Sequence, residues 1–259
     1  MKVLMVGDVM GRPGRRAVAA LLPGLRQELG VDLTICNGEN AAAGRGLTLA
    51  TSRELFDAGV DVITSGNHIW DQKEIIPWLD EDAPILRPHN YPPGTPGRGV
   101  MTCNGLTIVN LQGRTFMLPL DCPFRAADAI LKQLPARSAV IVDLHAEATS
   151  EKVALGWYLD GRVSAVVGTH THVGTVDARV LPKGTAFVCD VGMVGGRDSV
   201  IGDDVDSVLS RFLQQLPHRL TVAENSRVLQ FNAVLVDIDE ATGLARKIVR
   251  VDREIERRE

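Results

Sequence analysis

Short apolar runs rich in Val, Ile and Leu alternate along this chain with stretches whose apolar positions recur at helical spacing. KVLMVGD, VDLTICNG and VDVITSG read as strands, and Pro13 to Leu29 and Thr48 to Ala58 read as the helices that join them. Pro13 suits the first position of a helix and Gly30 its stop. This βαβαβ rhythm predicts a parallel sheet. RPHNYPPGTPGRG, residues 87–99, is too rich in proline and glycine for an element and predicts a long ordered loop. Beyond it MTCNGLTIVNLQG predicts a hairpin turning at Asn104-Gly105. A helix over Pro123 to Leu134, the buried strand SAVIVDLH, a helix over Ser150 to Leu159 and the strand and loop VSAVVGTHTH follow. The last third adds TAFVCDVG, a helix around Val205 to Gln215, and a long hairpin running from Val228 to Asp239 and back over Leu244 to Val251. No internal repeat or change of composition divides the chain, so residues 1–259 are expected to form a single domain.

Only six residues are Phe, two Tyr and three Trp, so aliphatic side chains must build the core, as in sheets covered by helices. A hydrophobic fraction of 45% with 23% charged residues excludes extended disorder. Lys and Arg number 28 against 32 Asp and Glu, a formal charge of −4, so the chain lacks the basic excess of a general nucleic-acid-binding module. No apolar stretch approaches the ~20 residues of a membrane helix. MKVLMVGDVMGRPG meets charge and proline before any signal-peptide core develops, and the expectation is a cytoplasmic protein with no membrane partner. Cys36, Cys103, Cys122 and Cys189 form no CxxC pair and are expected as buried reduced thiols.

Several strands end alike, with an apolar run delivering a polar side chain into the following loop: Asp8, Glu39-Asn40, Asn67-His68, His145, and His170 with His172. In a parallel sheet all carboxyl ends lie on one edge, where residues distant in sequence converge. Singly each has a bland explanation: Asp8 could cap a helix, Glu39-Asn40 could be turn chemistry, and His145 could be a hydrogen-bonded core residue. His170 and His172 are read as alternate residues of an extended loop, presenting two imidazoles on one side. Together the set offers carboxylates, amide oxygens and imidazoles without a thiolate, which suits Mn, Fe or Zn. His89, in the proline-rich loop, and His218, in a polar turn, are given no chemical role. GDVMGRPG lacks the spacing of a phosphate-binding loop, and VGMVGG, residues 191–196, reads as a flexible backbone segment.

The ordered set Asp8, GENAAAG, GNHIWD, His145 and GTHTH resembles the calcineurin-like metallophosphoesterase superfamily, whose blocks run D-x-H, G-D-x-x-[DN], G-N-H-[ED], H and G-H-x-H. It resembles more closely the YmdB-like family within it, associated with 2′,3′-cyclic nucleotide phosphodiesterase activity, and the likeness runs from Met1 to about Gly202. The resemblance implies an α/β metallophosphoesterase-type four-layer sandwich, central β-sheets flanked by helices, holding two divalent metal ions. By the same resemblance Asp8 and His172 would hold the first metal, Glu39 would bridge both, Asn67, His145 and His170 would hold the second, and His68 would be the proton donor. Met10 stands where D-x-H places a histidine, and Glu39 where a bridging Asp is usual. The amide oxygen of Asn40 is the replacement donor that the closer family implies. Exchanging an imidazole for an amide favours Fe or Mn, with Zn also compatible.

Such a site hydrolyses phosphoesters by attack of a metal-activated hydroxide, and the chain carries no protein-nucleophile signature to compete with it. The expected substrate is a small phosphodiester such as a 2′,3′-cyclic nucleotide, with RNA ends as a further candidate. A phosphomonoesterase on the same core, or a regulator that binds RNA or a nucleotide without turnover, are the alternatives. Arg12, Arg15, Arg16 and Arg45 are the expected local groove for RNA, and the edges of the C-terminal hairpin offer a route to homo-oligomers.

Overall fold

The computed structural model describes residues 1–256, so the last three residues of the expected domain lie outside it. Along the chain run β1 (Lys2–Val6), β2 (Asp8–Val9), α1 (Gly11–Leu29), β3 (Leu33–Asn37), α2 (Leu49–Asp57), β4 (Val62–Thr64), α3 (Ile76–Leu79), β5 (Val100–Cys103) and β6 (Leu106–Gln112). There follow α4 (Pro123–Leu131), β7 (Ala139–His145), α5 (Thr149–Tyr158), β8 (Ala165–Thr169), β9 (Arg179–Val180), β10 (Ala186–Val188), β11 (Met193–Gly196), α6 (Val205–Gln214), β12 (Val228–Phe231), β13 (Ala233–Asp239), β14 (Leu244–Arg250) and β15 (Arg253–Glu256).

Three sheets form, in the orders β14-β13-β1-β3-β4, β5-β6-β7-β8-β10-β9 and β15-β12-β11-β2. The parallel rhythm expected from the sequence supplies β1, β3 and β4 to the first sheet and β6, β7, β8 and β10 to the second. Their strands bury both faces, so they read as unbroken aliphatic runs. One face of each sheet meets the other through Val3, Met5, Leu33, Ile35, Ile108, Ile141 and Val167. The outer face of the first sheet is covered by α1 and α2 through Val18, Leu22 and Leu55, and that of the second by α4 and α5 through Ala127, Ile130 and Leu155. The result is the expected four-layer α/β sandwich, helices outside and two sheets within.

Local signals explain the boundaries. Thr48 caps α2 reciprocally with Thr51, and Gly30 closes α1 at φ +64°. Asn104 and Gly105, both at positive φ, make the hairpin turn between β5 and β6. Pro13 sits at the third position of α1 rather than the first, because Gly11 starts the helix at φ +54°.

Two expectations need correcting. Val228 to Asp239 is two strands, broken at Asn232, which leaves one sheet and enters another: β12 pairs with β11 and β15, β13 with β1 and β14. The glycine segment before them is a buried strand, β11, whose Gly195 and Gly196 leave room for Met10 and Ser226. The outer strand of the expected hairpin, β14, lies beside β9 and β10 of the second sheet.

Candidate metal centre

The carboxyl ends of β1, β3, β4, β7 and β8 meet on one edge, and the residues expected there are brought together. Glu39, His145 and His170 each offer an atom to one cluster, and Asp8, Glu39 and His172 to a second, all within 4.8 Å of one another in each group. Glu39 belongs to both. Around His145 Nε2 lie Glu39 Oε1 at 3.2 Å, Asn67 Oδ1 at 3.1 Å and His170 Nδ1 at 3.0 Å. Asp8 lies 3.8 Å from His145 and 4.0 Å from His172, and its Oδ1 is buried without a hydrogen-bond partner.

The supporting hydrogen bonds fix which imidazole nitrogen faces inward. His172 Nδ1 donates to the Ile201 carbonyl at 2.7 Å, leaving the Nε2 lone pair toward Asp8. His145 Nδ1 donates to Thr169 Oγ1 at 3.0 Å, and that hydroxyl donates to buried Asp143 at 2.8 Å. Thr64 gives Asp143 a second bond at 2.5 Å. Ring orientation through such outer partners is typical of metal-ligating histidines. Gly66 lets the His145 ring approach, because a Cβ there would collide with its Cδ2 and Nε2.

Asn40 is the partial exception. Its Nδ2, not its oxygen, is directed at Glu39 Oε1 (3.0 Å) and His172 Nε2 (3.2 Å), so ligation by Oδ1 requires the amide to turn over. His68 donates its backbone N–H to Glu39 at 3.1 Å, while its ring Nδ1 meets Asp71 at 2.9 Å and the side chain stays partly exposed. Met10, buried, packs its side chain against Gly202 next to Ile201.

His170 and His172 do not lie in extended backbone as expected. Their φ angles are +98° and +64°, a region costly for non-glycine residues, and the two rings serve different clusters. What holds them is Thr171, whose N–H and hydroxyl both donate to Asp190, at 3.2 and 2.6 Å. Asp190 also accepts from Gly192 N and from Lys152 Nζ, each at 2.7 Å, with Lys152 and Asp190 both buried. Asp71, Glu147 (3.1 Å from His170 Nε2), Lys152 and Asp190 were not singled out from the sequence. The WD after GNHI was the one available signal, for Asp71.

Electrostatics mark the same place. Burial raises the Asp8 carboxyl well above the ordinary range. Against its own burial, the charge and hydrogen bond of His145 hold Glu39 below that range. Burial disfavours the His145 imidazolium, but Glu39, Asp8 and Asp143 lift it to about 9. Burial and the His145 charge push His170 down to about 3, and burial lowers His172. An orphaned Asp8 oxygen, the inward Nε2 of His172 and further imidazole and amide donors around shared Glu39 are a donor set that divalent cations fit, since a bound cation would take the place of the protons these groups share.

The fold and this edge define a metallophosphoesterase-type α/β sandwich. The chain belongs to the YmdB-like protein family, whose model matches residues 4–251. It is 50% identical over 256 residues to the 2′,3′-cyclic-nucleotide 2′-phosphodiesterase of Bacillus subtilis (strain 168), covering 97% of this chain and 96% of that protein. The crystal structure of a hypothetical protein from Thermus thermophilus superposes with TM-score 0.92 at 48% identity, covering 98% of this chain and 99% of that one. A novel phosphatase of Mycoplasma pneumoniae superposes with TM-score 0.92 at 34% identity, covering 99% of this chain and 94% of that one.

Proposed function

We propose that this protein is a single-domain, cytoplasmic phosphodiesterase that holds two divalent metal ions and hydrolyses small phosphodiesters, 2′,3′-cyclic nucleotides foremost. The observation that carries the reading is the pair of donor clusters sharing Glu39 beside the orphaned Asp8 oxygen. Asp8, Asn40 and His172 would hold one ion, Asn67, His145 and His170 the other, with Glu39 common to both. Bound there, the ions supply positive charge to the phosphoryl oxygens and bring the pKa of water toward neutrality. Oxygen and nitrogen donors without a thiolate suit Fe or Mn, with Zn compatible. The B. subtilis relative's substrate class supports the cyclic diester; the four cysteines are unpaired, Cys36 and Cys189 buried as expected but Cys103 and Cys122 only partly so.

This chain's own residues then do three things. Glu39 neutralises charge at the centre of the site. Asp143, Thr169 and Ile201 hold the imidazoles in one tautomer each. His68, oriented by Asp71, gives a proton to the departing ribose oxygen as the phosphorus–oxygen bond to water forms and the bond to the ribose breaks. Elemental analysis of the purified protein, together with turnover of bis-p-nitrophenyl phosphate, p-nitrophenyl phosphate and 2′,3′-cyclic AMP, tests this. About two metals per chain with diester turnover supports it. Monoester preference, or full metal loading with no turnover, overturns it.

A further inference from the structure

Of the four arginines expected to form a groove, two stand beside carboxylates and a third lines a cavity with other arginines. Arg15 is tied to Glu54 and the Ala41 carbonyl, both at 2.5 Å, and Arg12 stands 3.6 Å from Glu224. Arg45 instead lines a cavity of about 450 Å³ with Arg211 of α6 and Arg219 just beyond it. The loop after β3, and α6 with the segment that follows it, far apart in sequence, thus bring three arginines to one cavity. Among the described residues none of the three has a carboxylate partner within ion-pair distance, unlike Arg15, Arg26, Arg197 and Arg250, which do.

The cavity adjoins the catalytic edge. Its wall includes Asp71, the carboxylate bonded to His68, and Gln72, whose Nε2 donates to the Arg45 carbonyl at 3.0 Å. Two carboxylates, Asp71 and Asp203, share the wall. Asp203 faces Arg45 electrostatically and Asp71 meets the His68 imidazole, so three guanidinium groups stand against two carboxylates and remain in excess. A cyclic mononucleotide carries one phosphate, and that phosphate belongs at the metal centre. Guanidinium groups beside the proton donor have nothing to neutralise in such a substrate. They match a substrate with further phosphates close to the reacting one.

Resting on the hydrolytic reading above, we propose that the cavity lined by Arg45, Arg211 and Arg219 is a subsite for the phosphate backbone upstream of a terminal 2′,3′-cyclic phosphate, making oligoribonucleotide ends the preferred substrate class. Arginine forks bind phosphate bidentately, and a positively charged groove that tracks the backbone is how single strands are held without sequence readout. The chain's net acidity is no obstacle, because the subsite engages only a few phosphates of one strand end.

The test compares three substrates of one sequence: 2′,3′-cyclic AMP, the same nucleotide with a 5′-phosphate, and a hexaadenylate ending in a 2′,3′-cyclic phosphate. Binding of a 5′-labelled hexaadenylate is followed in parallel by fluorescence anisotropy. The expected result is a kcat/KM at least tenfold higher for the hexamer than for the mononucleotide. In Arg211→Ala/Arg219→Ala that advantage disappears, mononucleotide kcat/KM stays within about twofold and metal content is unchanged. The salt dependence of hexamer binding should flatten by about 1.4 in log–log slope, from ~0.7 per phosphate contact. Equal kcat/KM for hexamer and mononucleotide in the parent, or equal losses on both in the variant, overturns the proposal. If the 5′-phosphorylated mononucleotide alone captures the whole advantage, the subsite takes one phosphate and the oligonucleotide assignment fails. Should the parent hydrolyse no cyclic ester, the hydrolytic reading is what fails, and anisotropy still reports whether these arginines hold the strand.

Discussion

The buried Lys152–Asp190 pair invites a double-mutant cycle whose outcome the hydrogen bonds dictate. Both side chains lie beneath the segment carrying His170 and His172, with Nζ and Oδ2 2.7 Å apart. Removing one partner of a buried ion pair typically costs about 3–5 kcal/mol, because the other charge is stranded. The two ends are not equivalent here. Lys152→Met leaves Asp190 with three donors, Thr171 N, Thr171 Oγ1 and Gly192 N, so its cost should fall near ~3 kcal/mol. Asp190→Asn leaves a buried ammonium whose only other hydrogen bond among the described residues is to Thr171 Oγ1 at 3.4 Å, and its amide cannot accept from all the former donors. That cost should approach ~5 kcal/mol. The double variant strands no charge and should be no less stable than Asp190→Asn alone. Urea unfolding in the presence of chelator measures all three without metal linkage. Metal analysis adds a functional axis: Asp190→Asn frees Thr171 and lets the strained histidine backbones relax, so it should lose metal, while Lys152→Met should keep it. A Lys152→Met cost larger than that of Asp190→Asn, or additive losses in the double variant, would refute the reasoning.

Three further outcomes are expected. Glu39→Gln should lower metal content below two per chain and abolish turnover, since an amide cannot neutralise both clusters; elemental analysis checks it. His68→Ala should depress 2′,3′-cyclic nucleotide hydrolysis by about 10²- to 10⁴-fold but p-nitrophenyl ester hydrolysis far less, because p-nitrophenolate leaves without a proton. Its metal content should not change, and equal losses in kcat/KM on both substrates would remove the proton-donor role. Gly66→Ala places a Cβ inside the contact distance of the His145 ring, so the ring must move; metal retention under chelator should fall while the far-UV spectrum stays native.

What the sequence made legible was the strand-end chemistry. A parallel strand that must be apolar on both faces makes the first polar residue after it conspicuous, which is how Asp8, Glu39, Asn67, His145 and His170 could be picked out. The parts that stayed hidden depend on partners distant in the chain. Nothing in VLQFNAVLVDID shows that Asn232 moves the backbone from one sheet to another. Lys152 and Asp190 lie 38 positions apart and look like ordinary charges until the fold buries them against each other. The reading of GTHTH as extended failed because tertiary contacts through Thr171 override local preference. The setting of Arg45 stayed hidden for a related reason: Arg15 has a partner in Glu54, whereas Arg45 acquires Arg211 and Arg219 as neighbours only when α6 and the residues after it fold back beside it.

The pairing of β2 with β11 sets a timetable for synthesis. Asp8 stands opposite Met193 in that ladder, and β1 lies against β13. One of the first residues to leave the ribosome therefore waits for a partner 193 − 8 = 185 positions later. At ~5–20 residues per second that is roughly 10–40 s. During this interval the early βαβ segment holds Asp8, Glu39 and Asn67 without the late strands that close over them, and His145, His170 and His172 join only in its last part. On the proposed metal-dependent reading, ion capture by the nascent chain would be deferred until the late strands close over the beginning.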